Sequence, residues 1–315
     1  MAQGRWGRVL DRAEVWDRDA RTGYTVQRRA VRRFAPAEYT AVRLLLPAPL
    51  QPDVVILVAF MHATDDRIDR GPRAGREAAL RAWRRQVHSA LESGTSPVPG
   101  LRILAHTVGR HPALRGRVAA FLDGAEAEVG WERFGSEADV DRYVREYSLP
   151  ALMLSMGLLA PAGDDGSFEE ACLALITAMQ RLDFLEDLAE DLAEGRIGLS
   201  DEALAAHGLS ADVLRTGKAP AGQVSALITS RADVAARALA AARPLTARAD
   251  RPARPFVRAL LDVQKLRLAA VRRAGTTLTT RTCGPSPAAC GAVLLRELLG
   301  RRAARRPRTG ARPIP

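Results

Sequence analysis

The chain has 315 residues, 47% hydrophobic and 26% charged, a mixture that excludes general disorder. Its net charge of +11 is concentrated at one end: fifteen Lys and Arg against two acids follow position 250, leaving 32 basic and 34 acidic residues, a net of −2, before it. A nucleic-acid-binding body is therefore excluded, and the basic end reads as a solubilising, partly disordered segment, with peripheral association at an anionic membrane surface as its alternative role.

In chain order, the opening MAQGRWGRVLDR has no apolar segment of the kind that directs secretion, so the expectation is a cytoplasmic protein. The longest apolar run, Val54 to Met61, is too short to span a bilayer. Three cysteines, Cys172, Cys283 and Cys290, exclude a disulfide framework, and Cys283 and Cys290 lack the two further ligands a zinc site needs. Ala, Leu, Arg and Glu dominate, and apolar residues recur at helical spacing in 140–159, 172–192, 224–242 and 257–271. Punctuation falls at Pro47-Ala-Pro49, Gly71-Pro72, Pro97-Val-Pro99-Gly100, Pro161-Ala-Gly163, Gly195 and Gly208. The expectation is an all-α, single-domain helical bundle over 1–275. A basic extension over 276–315 follows, with a short helix from Ala292 to Leu299 and no structure from Arg301 onward.

Two segments carry chemistry. In Asp65-Asp66-Arg-Ile-Asp69, Asp65 and Asp69 share a helix face one turn apart, and Gly71-Pro72 must end that helix. In Asp183-Phe-Leu-Glu186-Asp187-Leu-Ala-Glu190-Asp191-Leu-Ala-Glu194-Gly195-Arg196, aspartates repeat every four residues along one helix that stops at a glycine. Both clusters thus sit near C-terminal helix ends, where the dipole disfavours anions. Carboxylates arranged this way beside apolar residues call for a cation, and oxygen-only donors suit Mg²⁺ or Mn²⁺. Either motif alone is ordinary surface charge. Two of them facing across a helical bundle can hold a diphosphate through bridging metals, and the apolar runs at 55–57, 152–154 and 156–159 would wall a pocket for a hydrocarbon tail. The substrate so described is a prenyl diphosphate.

These residues resemble the squalene/phytoene synthase family, the head-to-head members of the class I isoprenoid synthases, over roughly Arg33 to Arg273. The resemblance is clearest in Asp187-Leu-Ala-Glu-Asp191-Leu-Ala-Glu-Gly195-Arg196, similar to the family's second aspartate-rich motif, with Asp65 and Asp69 matching the first. Gly124 and Glu128 fall where the family has a glycine followed four residues later by an acid. The resemblance implies the all-helical isoprenoid synthase fold, Mg²⁺, and farnesyl or geranylgeranyl diphosphate. Asp65, Asp66, Asp69, Asp183, Asp187 and Asp191 would be the metal ligands, with Asp65, Asp69, Asp187 and Asp191 carrying the catalysis. Arg181, Arg196, His62, Tyr147 and Lys265 would contact substrate, with Arg267 a further candidate.

Departures steer the functional expectation. The paired arginines usual before the first aspartate are replaced by Met61-His62-Ala63-Thr64, and an upstream arginine cluster by Leu50-Gln51-Pro52. An ungapped register puts Glu146 where the family has a tyrosine, and Gly198 where it has a second one. Fewer arginines lower the positive potential for two diphosphates, and Leu and Met in place of small residues fill space. The sequence reading therefore favours a terpene synthase ionising one prenyl diphosphate, with Phe60, Phe184 and Tyr147 steadying the cation. The alternative is a head-to-head prenyltransferase giving a C30 or C40 product; a non-enzymatic helical shell is disfavoured because both acidic motifs are intact.

Overall fold

The computed structural model describes residues 4–304 except Arg70 and Glu132. Among them the chain is helical throughout, with no strand beyond a single bridge between Arg133 and Ile197. The first half comprises α1 (Arg5–Arg12), α2 (Arg18–Phe34), α3 (Pro36–Leu45), α4 (Gln51–Ile68), α5 (Arg73–Ser93), α6 (Pro99–Arg110) and α7 (Leu114–Gly130). Next come α8 (Glu137–Tyr143), a π-helical turn (Val144–Ser148), α9 (Leu149–Met156), α10 (Ser167–Glu186) and α11 (Leu188–Glu194). The chain continues with α12 (Asp201–Ala205), α13 (Ala211–Arg215), α14 (Ala221–Ala241), α15 (Leu245–Arg248), α16 (Arg254–Ala274) and α17 (Pro287–Ala304).

Two helices are central. The run Val54 to Leu57 is apolar on every side, so α4 can be stable only when surrounded; it packs against α2, α5 and α6 and buries Val55, Ile56, Leu57 and Phe60. Helix α10 plays the same part in the other half, against α9, α14 and α16, burying Phe168, Cys172, Leu175 and Leu182. The pocket walls expected from the sequence are core: Val55, Met153 and Met156 pack together in one apolar cluster, with Leu158 against it. Burial pushes the Cys172 thiol up to about 12, consistent with an inert core residue.

Two boundaries differ from expectation. The helix carrying the second acidic cluster breaks at Asp187, where ψ is 1°. The amides of Asp187 and Asp191 still bond the carbonyls of Asp183 and Asp187, so the four-residue spacing survives the bend. The last helix starts at Pro287 and runs to Ala304, not from Ala292 to Leu299, because Val293, Leu294 and Leu298 pack against Leu45 and Ala259. The segment from 287 to 304 is thus docked on the bundle; the remainder of the expected extension, 305–315, lies outside the described residues.

Candidate active site

Both central helices end in acids. Helix α4 finishes at Ile68 with Asp69 as its C-cap, and Gly71, at φ +87°, turns the chain into α5. Asp65 is largely withdrawn from solvent. Its carboxyl is pushed up to about 7, first by burial and then by Asp69, while the Tyr147 hydroxyl, donating to Asp65 Oδ1 at 3.2 Å, opposes the rise. Glu128 of α7 joins this cluster. It accepts a hydrogen bond from the Tyr143 hydroxyl, and burial with nearby Asp69 raises its pKa, against the opposing charges of Arg196 and Arg76.

The second cluster lies where α10 bends into α11. The Asp187 carboxyl is raised to about 6 by burial and then by Asp183, Asp191, Glu190 and Glu186, all of them acids. Asp191 is also raised, chiefly by burial, with Arg196 opposing. Arg267 of α16 reaches across to Asp183 and to both oxygens of Glu186, and donates to Gln264 at 3.0 Å.

Between the clusters stands an aromatic group. Tyr143 lies 5.5 Å from Tyr147 and 6.1 Å from Phe184, ring centre to ring centre, and Trp131 lies 5.8 Å from Phe184. Arg196, its guanidinium 5.7 Å from the Trp131 ring, acts on Glu128 of one cluster and Asp191 of the other. Arg196 thus lies near both acidic ends, and it donates to Glu194 at 2.8 Å.

Other expected residues are placed differently. Arg181 is buried and bonds Glu137 at 2.7 Å and Asp141 at 2.8 Å, tying α10 to α8. Two residues separate it from Asp183, about 200° around a helix, so the two leave opposite faces. Lys265 bonds Asp262 at 2.7 Å, and the same offset separates it from Arg267, which is the α16 residue that meets the acids. His62 pairs with Asp66 at 3.6 Å and stacks on Phe34 at 3.7 Å; this pair is on a half-exposed side of α4 facing α2. Two participants missing from the expected site are Glu128 and Tyr143. The first carried a signal, an acid four residues after Gly124; the second carried none beyond its spacing of four from Tyr147.

Residues 31–287 match the family model described as squalene/phytoene synthase. The chain belongs to the squalene/phytoene synthase family. Relatives include the bifunctional protein CrtB/UppS of Streptomyces coelicolor, 33% identical over 201 residues, and a presqualene diphosphate synthase of Rhodopseudomonas palustris, 30% identical over 175. A phytoene synthase of Thermus thermophilus is 29% identical over 206 residues. The aligned regions cover 64%, 55% and 56% of this chain, and 35%, 61% and 69% of those relatives respectively, so the match spans only about a third of the first. Among solved structures, squalene synthase HpnC from Alicyclobacillus acidocaldarius superposes with a TM-score of 0.74 at 23% identity, covering 84% of this chain and 98% of that one. A dehydrosqualene synthase superposes at 0.76 with 18% identity, over 94% and 99%. The helical fold is shared.

Within this family two departures acquire a structural explanation. Pro150 has no amide hydrogen and its ring crowds the carbonyl four residues back, that of Glu146. The helix widens there into the π turn, with the Leu149 amide bonding the Val144 carbonyl. A π turn holds one residue more than an α turn, so the side chain meeting Asp65 is Tyr147 rather than exposed Glu146. The tyrosine that meets Asp65 therefore stands one residue after the position the ungapped register gives. Gly124 makes room for the turn: a Cβ there would stand 2.0 Å from the Glu146 carbonyl oxygen. At Gly198 a Cβ would meet Phe184 at 2.2 Å, so the Phe184 ring of α10 occupies the space beside this position.

The donor set suits a hard divalent cation: all oxygen, partly buried, with like charges crowding Asp65 and Asp187. Among the described residues no three acidic, histidine or cysteine side chains converge to hold an ion unaided.

Proposed function

We propose that this chain is a Mg²⁺-dependent head-to-head prenyltransferase that condenses two molecules of farnesyl or geranylgeranyl diphosphate. The observation that carries the reading is the Tyr147 hydroxyl on Asp65, which puts a tyrosine at the first acidic cluster where the ungapped register had Glu146; the cyclase expectation rested instead on the missing arginines and on the Leu and Met side chains. Relatives named as presqualene diphosphate synthase and phytoene synthase support the same choice.

Asp65 and Asp69 on one side, and Asp183, Asp187 and Asp191 on the other, would hold the metal. Bound there, Mg²⁺ would neutralise the diphosphate as its C–O bond breaks. Arg196, acting on both clusters, orients the diphosphate between them, and Arg267 keeps Asp183 and Glu186 in place. Tyr143, Tyr147 and Phe184 present π faces to the allylic cation, and the surrounding packed side chains exclude water from it. The double bond of the second substrate then attacks the cation, forming a carbon–carbon bond, and a proton leaves as a cyclopropane closes. The balance is two prenyl diphosphates giving one cyclopropylcarbinyl diphosphate, one diphosphate and one proton.

Incubation with Mg²⁺ and each substrate separately, with and without NADPH, decides between the readings. Products are dephosphorylated, extracted and identified by gas chromatography with mass spectrometry. A C30 or C40 product is expected; a C15 or C20 hydrocarbon or alcohol as the sole enzymatic product would return the assignment to a cyclase.

A further inference from the structure

Far from the acidic clusters, α1, the end of α3 and α17 enclose a cavity of about 430 Å³ whose lining includes six arginines, Arg5, Arg8, Arg12, Arg43, Arg301 and Arg302, and no acid. It includes Gln51, where α4 begins, whereas Asp65 lies fourteen residues further along that helix, about 21 Å at 1.5 Å per residue. Arg5, Arg8 and Arg12 occupy the exposed side of α1, whose other side buries Trp6, Val9 and Leu10.

Two of the guanidinium groups, those of Arg43 and Arg301, are held in place. Arg43 lies 5.1 Å from the Trp6 ring centre and donates to Gln51, and burial together with Arg28 and Arg5 lowers its pKa. Arg301 donates to the carbonyls of Leu44 and Leu46 at 3.1 and 3.2 Å. Beside the cavity α17 exposes two apolar side chains, Leu295 and Leu299. Of the six arginines only Arg43 falls within residues 31–287, so the pocket is built mainly from helices that flank the family match.

We propose that this pocket is a metal-independent site for a phosphate-bearing anion, whether free diphosphate or the phosphate headgroup of a lipid. Guanidinium forks match phosphate oxygens in pairs, and several converging on one cavity give both charge and geometry. The site is independent of the prenyltransferase reading.

The test is calorimetric titration of the full chain with sodium pyrophosphate in EDTA, where the acidic clusters repel the ligand. One-site binding is expected, weakened at least tenfold in Arg5→Ala/Arg8→Ala/Arg12→Ala and in a second variant, Arg301→Ala/Arg302→Ala. Prenyl diphosphate turnover should be unchanged in both, which shows that they fold. The arginines after 304 are intact in both variants, so equal binding by parent and variants would overturn the proposal. Vesicles distinguish the sources. Co-sedimentation with phosphatidylglycerol but not phosphatidylcholine, competed by pyrophosphate, assigns the lipid headgroup; pyrophosphate binding without co-sedimentation assigns the free anion. Binding of RNA with neither of these would overturn it.

Discussion

At the residue scale, what distinguishes the site is carboxylates kept where carboxylates are unfavourable. Asp65 has a folded-state pKa near 7 against 3.8 in the unfolded chain, so the folded protein binds its proton more tightly. Its contribution to stability is intact below pH 4 and is lost as pH rises through 7. In metal-free protein Asp65→Asn should therefore melt higher than the parent at pH 8, by about 2–4 °C for each kcal/mol relieved, and equally near pH 4. The same substitution with Mg²⁺ should lower kcat/KM ~100-fold or more, as should Asp187→Asn. Calorimetry without metal and steady-state kinetics with it check the two halves. Arg181 predicts the opposite pattern. It is buried against Glu137 and Asp141, so Arg181→Met should cost about 2–4 kcal/mol in thermal or denaturant unfolding while leaving kcat/KM within about threefold below the melting temperature.

At the element scale, the π turn is the feature that sets the site. Its cause is local, Pro150, but its permission is tertiary, the bare Cα of Gly124 on α7. Gly124→Ala puts a methyl against backbone that cannot step aside cheaply. The expected result is a loss of about 1–3 kcal/mol, with turnover falling even at temperatures where the variant is folded, because Tyr147 leaves Asp65. Unchanged turnover in a folded variant would mean that the turn does not position the tyrosine. Much of the element content was legible in the sequence: helical periodicity over 172–192 and the stops at Gly71 and Gly195 correspond to α10, α11 and their ends. The bend at Asp187 was not legible, since i to i−4 bonding and apolar spacing continue through it. Nor was the length of α17, because 287–304 is stabilised by contacts with α3 and α16 that its own weak amphipathicity does not announce.

At the scale of the whole molecule, the proposed reaction has two clusters on different helices acting on one ligand. With no three acidic, histidine or cysteine side chains converging among the described residues, Mg²⁺ alone should shift the melting temperature little. Mg²⁺ with pyrophosphate at about a hundred times its Kd should add about 2.7 kcal/mol, some 5–10 °C. The part of that increment that depends on Mg²⁺ should vanish in Asp65→Asn and Asp187→Asn and persist in the α1 arginine variant, a comparison made by scanning calorimetry. Among the described residues no helix is long and apolar enough to cross a membrane. The proposed phosphate site is formed by described helices, α1, the end of α3 and α17.

The sequence by itself determined the all-helical class and the two acidic motifs, because both are written in spacings of three and four that any helix converts into faces. It also supplied the family resemblance, through Asp187 to Arg196. What it could not determine was which neighbours those faces would meet. Arg181 and Lys265 lay at plausible distances along the chain but leave their helices on the wrong side, while Arg267, two residues further on, reaches the acids. The ungapped register set Glu146 where the family has a tyrosine, and only the widened turn brings Tyr147, one residue later, onto Asp65. Such choices depend on the rotation of one helix against another and on where a proline forces an extra residue into a turn, and only close packing of the folded chain fixes those quantities.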